Sequence, residues 1–232
     1  TIIGGSAMMG RAGIAYTTGF MAIATALPYM LGMFIFSGYA GRIQQVGEKY
    51  HIESIPSLFE YRFGKPAKCV LAAMVAFAMV GTVAAQVTAT ATIIKLLGGQ
   101  VGISYEMGAF IATAIFIIYT AASGLFGVVY TDVVQFFMLI IFVYLMIPFS
   151  SLDYLGGFGS FWASLDKSYI TPAIDGKILG DIVTYLVFTM AGAEMWQRAF
   201  AAKDKKSAKR GMFWGTAVYG VTIALLFLMG LA

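Results

Sequence analysis

The sequence predicts an all-α, polytopic helical membrane protein. Three observations carry that prediction. Sixty per cent of the 232 residues are hydrophobic and only 11% are charged, far less charge than a soluble surface of this size needs. The apolar residues fall in repeated runs of about 20, the length that crosses a bilayer as a helix. Those runs are continuous and do not alternate with period two, which argues against a transmembrane barrel. The net charge of +4 is no nucleic-acid signal, because the basic residues cluster in two loops beside apolar helices. Membrane lipid is the expected surroundings, and no nucleic-acid partner is expected. The single Cys69 excludes an internal disulfide.

In chain order, residues 1–15 are too short to cross alone. Gly4, Gly5, Gly10 and Gly13 each weaken a helix by about 1 kcal/mol relative to Ala. Two readings stand for this segment. One is a close helix–helix contact through small residues; the other is the second half of a broken helix whose freed carbonyls face a cavity. Residues 17–41 form the first full span, kinked at Pro28. A polar connector, Arg42 to Lys68, follows. Within it, Ser54-Ile-Pro-Ser-Leu-Phe-Glu-Tyr-Arg-Phe reads as a short helix capped by Ser54 with Pro56 in its first turn. His51, the only histidine, falls in this loop and reads as solvated.

Residues 69–97 form a long span. Thr82, Gln86 and Thr90 recur at i, i+4 and i+8 and share one face. That face serves either interhelical hydrogen bonding or the polar wall of a solute pathway. Residues 105–123 form the next span. A tight turn, Ser123-Gly-Leu-Phe-Gly, leads into a helix over 127–149 that carries Asp132. Residues 150–177 are a polar loop in which Phe158 to Leu165 forms a short interfacial helix anchored by Trp162. Residues 178–197 span again, and a last span begins near Gly211. The chain opens at Thr1 and closes at Ala232 inside apolar segments, with no initiator Met or charged leader. It therefore reads as a fragment of a longer membrane protein, cut at both ends.

Orientation follows from the basic residues. The segments 42–68 and 198–210 hold eleven of the fifteen lysines and arginines. The positive-inside rule puts both in the cytoplasm. Six spans then alternate across the membrane without contradiction.

Catalysis has little support. The chain shows no His/Cys metal spacing, and its Gly-rich segments lack the Lys-Ser/Thr that would hold a phosphate. Asp132 is the residue that most needs explaining. At 1.5 Å per residue it sits about 8 Å past the helix start near Gly127, and a carboxylate at that depth in lipid needs a cation, a partner or water. One reading is a helix-start acid favoured by the macrodipole. The other is a cation-handling carboxylate: Thr131 and Asp132 offer hydroxyl and carboxylate oxygens side by side, and a broken first helix offers carbonyls. Glu194 and Arg198 stand at the spacing of an i,i+4 ion pair near a helix end. Tyr185, Phe188 and Thr189 fall on overlapping faces of the 178–197 helix, where packing and a gate are both open readings.

Four stretches resemble the sodium:solute symporter family. Gly124-Leu-Phe-Gly-Val-Val-Tyr-Thr-Asp-Val-Val-Gln is similar to its Gly-rich signature ending in Thr-Asp and Gln. Gly10-Arg-Ala-Gly-Ile-Ala-Tyr-Thr-Thr-Gly resembles its first core helix. Ser54-Ile-Pro-Ser-Leu-Phe-Glu-Tyr-Arg-Phe-Gly is similar to its loop motif, and Gln197-Arg-Ala-Phe-Ala-Ala-Lys to its Gln-Arg run. The resemblance implies a LeuT-like fold with two inverted repeats. This chain would cover core helices 1b to 7: residues 1–149 most of the first repeat, 150–177 an extracytoplasmic loop, and 178–232 the start of the second.

The resemblance further implies a plasma-membrane symporter that couples entry of a small-molecule solute to a co-transported sodium ion. Asp132 matches the family's acid linked to sodium. Thr131 and Gln135 belong to the same motif, and Gln197 and Arg198 to the Gln-Arg run. Ile3 aligns with a position whose backbone carbonyl ligates sodium. Phe188 falls where sugar carriers place a gating Tyr, Ala26 where they place an acid, and Ala7 where they place a Gln. These departures argue against a sugar and leave amino acids and organic acids open. Two alternatives remain: a proton-coupled carrier of the same fold, and a non-transporting membrane sensor or scaffold. The chain alone is expected not to transport, since hydroxyl ligands on later helices would lie outside it.

Overall fold

A computed structural model describes residues 4–165 and 176–231, with side chains at 6, 123–129, 164, 176 and 177 outside the description. Six helical stretches among these residues are long and apolar enough to cross a membrane: Ala7–Tyr50, Lys65–Val101, Tyr105–Ala122, Tyr130–Tyr154, Ile178–Phe200 and Lys205–Leu231. They fall where the six spans are predicted. The chain sorts into two compact units. One holds Thr1–Gly19, Val80–Lys167 and Ala224–Ala232; the other holds Phe20–Met79 and Ser168–Ile223.

The first unit starts with α1, Gly5–Thr18. Its small residues pack closely. A Cβ on Gly5 would touch Ala89 Cβ at 3.6 Å, and one on Gly230 would meet Ala15 Cβ at 2.7 Å and the Ala12 carbonyl. Gly10 and Gly13 face open space within 4 Å. The close-contact reading of the glycines therefore holds at Gly5, on the α1 side, and not at Gly10 or Gly13. α1 ends at Gly19, whose φ of 56° is a conformation glycine reaches without a Cβ penalty. A 3-10 turn, Gly19–Ala22, follows. The interruption thus lies at Gly19, ahead of Pro28, which is buried inside the next helix.

The unit continues with the second half of α4 (Lys65–Gly98) and α5 (Tyr105–Leu139), which Ser104 caps through the Met107 amide. α5 is not a straight rod. The Tyr119 and Thr131 hydroxyls hydrogen-bond at 2.5 Å although they are twelve residues apart, a stretch that spans about 18 Å in straight helix. Phe116 and Val143 also line one cavity. The helix axis therefore bends sharply between Tyr119 and Thr131, but the backbone stays helical from Tyr105 to Leu139, so the predicted tight turn and separate helix start near Gly127 do not occur. A π-helical stretch, Ile140–Met146, comes next, with the Ile147 amide donating to the Phe142 carbonyl. Then come α6, Ile147–Tyr154, with a proline in its first turn, and α7, Phe158–Ser164. In α7 Phe161 is buried and Trp162 stays exposed, stacked on it at 5.7 Å.

The second unit is built on α2, Ile23–Tyr50. Its buried residues Thr25, Tyr29, Gly32, Met33, Phe36, Ala40, Ile43 and Gly47 repeat every three or four positions, the stripe of a helix packed on one side. The partners are α8, Gly176–Ala191, and α9, Ala193–Phe200. α2 overruns the predicted span by nine residues because this stripe continues through Ile43, Gln44 and Gly47. It stops at His51, which is exposed at φ 52° and donates its amide to the Gly47 carbonyl. α3, Ile55–Phe63, begins at Ser54, whose Oγ accepts from the Ser57 amide at 3.3 Å, as predicted. α10, Lys205–Leu231, contributes Phe213 and Tyr219, whose rings lie 5.5 Å from Phe34 and Tyr29.

Gly192 divides the predicted 178–197 helix into α8 and α9. This corrects the reading of Glu194. It lies in the first turn of α9, where the macrodipole favours an acid. Its carboxylate folds back over Gly192, within 3.0 Å of where a Cβ there would stand. Among the described residues Glu194 and Arg198 form no ion pair although both lie in α9 at i,i+4; the Glu194 carboxylate turns back toward Gly192 instead.

Candidate functional site

The first unit holds a cavity of about 660 Å³. Four segments build it. The start of α1 brings Gly4, Gly5 and Met8; α4 brings Thr82, Gln86 and Thr90; the first arm of α5 brings Phe116, Tyr119 and Thr120; the second arm and the π stretch bring Gln135, Phe136, Leu139, Phe142 and Val143. Thr82, Gln86 and Thr90 thus turn their shared face onto this space. Both readings of that face stand: it lines this space, and Gln86 also packs against the start of α1. Gly4 closes one corner: a Cβ there would fall 2.5 Å from Gln86 Nε2, so only glycine lets α1 begin against this carboxamide unshifted.

The lining is neutral. Among the described residues it carries hydroxyls and carboxamides together with Phe, Met, Leu and Val, and no charged side chain. A space of this size with a few convergent polar groups on apolar walls suits a small organic ligand. The π stretch bears on it directly. Phe142 and Val143 reach the cavity from residues wound one position wider than an α-helix, a distortion that recurs at functional sites.

Thr131 and Asp132 are half-buried at the start of the second arm. Thr131 Oγ1 is bound to the Tyr119 hydroxyl, and Tyr119 lines the cavity. Asp132 precedes Gln135 and Phe136 by three and four positions, so it shares their helix face one turn away. Gln135 lies in the lining itself. Ala7 is half-buried in α1, one position before Met8. Ile3 lies outside the described residues. No group of three or more His, Cys, Asp or Glu that could hold a metal occurs among the described residues. A hard monovalent cation does not require one, because hydroxyl, carboxamide and carbonyl oxygens serve.

The remaining candidates belong to the second unit. Thr189 is 2% exposed, and its hydroxyl donates to the Tyr29 carbonyl at 3.2 Å and the Tyr185 carbonyl at 2.9 Å. It joins α2 to α8. Tyr185 is half-buried, and Phe188, Gln197 and Arg198 are exposed. Sequence reasoning did not single out Tyr119, Thr120 or Met8. A signal for the first two was present, as a Tyr-Thr pair interrupting the apolar run over 105–123.

The family model described as SSF, sodium:solute symporter family, matches residues 1–232, the whole chain. No curated protein and no solved structure matches it.

Proposed function

Because the chain belongs to the sodium:solute symporter family, we propose that it forms part of a carrier importing a small polar organic solute, an amino acid or organic acid, together with sodium. Entry proceeds by alternating access across the plasma membrane, with residues 42–68 and 198–210 on the cytoplasmic side. Membership makes the protein a multi-pass membrane transporter rather than an enzyme. The finer reading rests on one observation: four helical segments converge on a neutral, polar-walled cavity with Asp132 one turn from its lining.

In this reading the solute lies against Thr82, Gln86, Thr90, Tyr119 and Gln135, whose hydroxyls and carboxamides pair with its polar groups. Its hydrocarbon part lies against Phe116, Phe136 and Phe142. Sodium is cargo, drawn by Asp132 and Thr131 together with the carbonyl of Ile3. Asp132 supplies the charge that makes a cation's loss of water tolerable. Thr131 is held in place by Tyr119, so sodium and solute share one strut. Phe188 acts as an aromatic gate with Tyr185 beside it.

The test is solute-dependent sodium flux by the full-length protein in proteoliposomes across a panel of amino and organic acids. Uptake of one solute that rises with a sodium gradient is the expected result. Uptake that ignores sodium and collapses with the proton gradient would overturn the coupling ion.

A further inference from the structure

The second unit contains a cavity of about 500 Å³ far along the chain from the solute residues, framed by the last turns of α2, by α3 and by α9. Its rim carries Arg42 and Arg62, both exposed, and no acidic side chain lines it. Two nearby acids are engaged elsewhere. Glu60 pairs with Lys68 at 2.6 Å, and Glu48 accepts from Gln44 Nε2 at 3.0 Å. The ammonium of Lys49, over the Tyr50 ring at 5.1 Å, adds to the positive field. The floor is apolar, made by Leu58, Trp196 and Phe200 with α2.

This floor is preorganised. Trp196 donates its indole N–H to the Met190 carbonyl at 2.9 Å and meets Phe36 edge-on at 5.8 Å. Tyr50 and Tyr61 also line the cavity, their rings paired 4.6 Å apart. Two arginines lining an apolar slot, beside a helix leaving its apolar span, match an anionic headgroup on a hydrocarbon chain. A free anion would use the arginines and leave the slot unfilled.

We propose that this cavity binds one anionic phospholipid, its phosphate between Arg42 and Arg62 and its acyl chain along Trp196, Phe200 and Leu58. Eleven basic against four acidic residues in 42–68 and 198–210 concentrate such lipids at this face. The inference rests on the membrane reading of the helices and not on the transport reading.

The test uses the full chain with Trp162→Phe and Trp214→Phe, which leaves Trp196 as the only indole of three. Its fluorescence is titrated in micelles with acyl-brominated phosphatidylglycerol or phosphatidylcholine. Saturable quenching at roughly tenfold lower mole fraction of the anionic lipid is expected. Arg42→Gln with Arg62→Gln should remove that preference, and Arg42→Lys with Arg62→Lys should keep most of it. Equal quenching by both headgroups overturns the proposal. Displacement of the lipid by inorganic phosphate alone also overturns it, in favour of a free-anion site. If the double glutamine variant does not fold, the headgroup comparison decides by itself.

Discussion

The hydroxyls of Tyr119 and Thr131 meet at 2.5 Å across twelve residues of α5. The contact ties the arm that carries Thr120 to the arm that carries Asp132 and Gln135. A hydrogen bond between hydroxyls contributes about 0.5–1.5 kcal/mol net, and bonds between membrane helices fall in the same range. A double-mutant cycle with Tyr119→Phe and Thr131→Val should therefore return a coupling energy of about 1 kcal/mol in detergent unfolding. Strict additivity of the two substitutions would show that the arms are held without it.

Gly32 sits where α2 crosses α8. A Cβ there would stand 2.7 Å from the Leu186 carbonyl oxygen and 3.0 Å from Thr189 Cβ. The first of these is backbone and cannot swing aside. Gly32→Ala should cost about 1–3 kcal/mol, the range for overpacking a closed contact. Thr189→Val keeps the volume and removes the hydroxyl bound to Tyr29 and Tyr185, for a loss of about 1 kcal/mol. The order Gly32→Ala worse than Thr189→Val in midpoint temperature is the measurable consequence, and the reverse order would contradict the packing argument.

The spans were legible because hydropathy alone sets them: long apolar runs cannot be anything but buried in lipid or protein. The cap at Ser54 was legible from local chemistry; the turn drawn before Asp132 was not borne out, because α5 stays helical through it. The break at Gly192 was not, since a lone glycine in an apolar run also serves close packing, and nothing local separates the two. The extension of α2 past Arg42 depends on tertiary burial of Gln44 and Gly47, which overrides the polar composition there. The Thr82, Gln86 and Thr90 face could be drawn from spacing, but its direction could not. Whether a stripe meets a neighbour or a cavity depends on helices remote in sequence. The Tyr119–Thr131 contact was invisible because it depends on a bend within α5 that residue spacing does not give.

Asp204 caps α10: its Oδ1 accepts from the Ser207 amide at 2.7 Å. That bond holds its carboxyl below the usual carboxylate range, with smaller help from the Ser207 side chain and Lys203. The sign follows. A depressed folded value means the cap's stabilisation is complete above the unfolded value of about 3.9 and is lost as pH falls through the lower folded value. Protection of the Ser207 amide from hydrogen exchange, corrected for intrinsic rate, should hold at pH 5–6 and fall below about pH 4. Asp204→Asn, which caps without titrating, should abolish that pH dependence while keeping the helix start. Unchanged pH dependence in the asparagine variant would mean that another group is responsible.

In the function proposed above, Asp132 links the cavity of the first unit to the coupling ion. It is half-buried one turn before Gln135, outside a lining that has no charge among the described residues. Removing its charge leaves the neutral cavity walls in place and takes away the group that compensates a dehydrated cation. In the full-length protein, Asp132→Asn should raise the sodium concentration for half-maximal uptake by about tenfold or more, equivalent to at least ~1.4 kcal/mol. Solute binding at saturating sodium should change much less, because the hydroxyls and carboxamides that face the solute remain. Asp132→Glu keeps the charge on a longer stem and should fall between the two. Sodium titrations of uptake, paired with solute titrations at high sodium, separate these effects. An unaltered sodium curve in Asp132→Asn would remove this carboxylate from ion coupling.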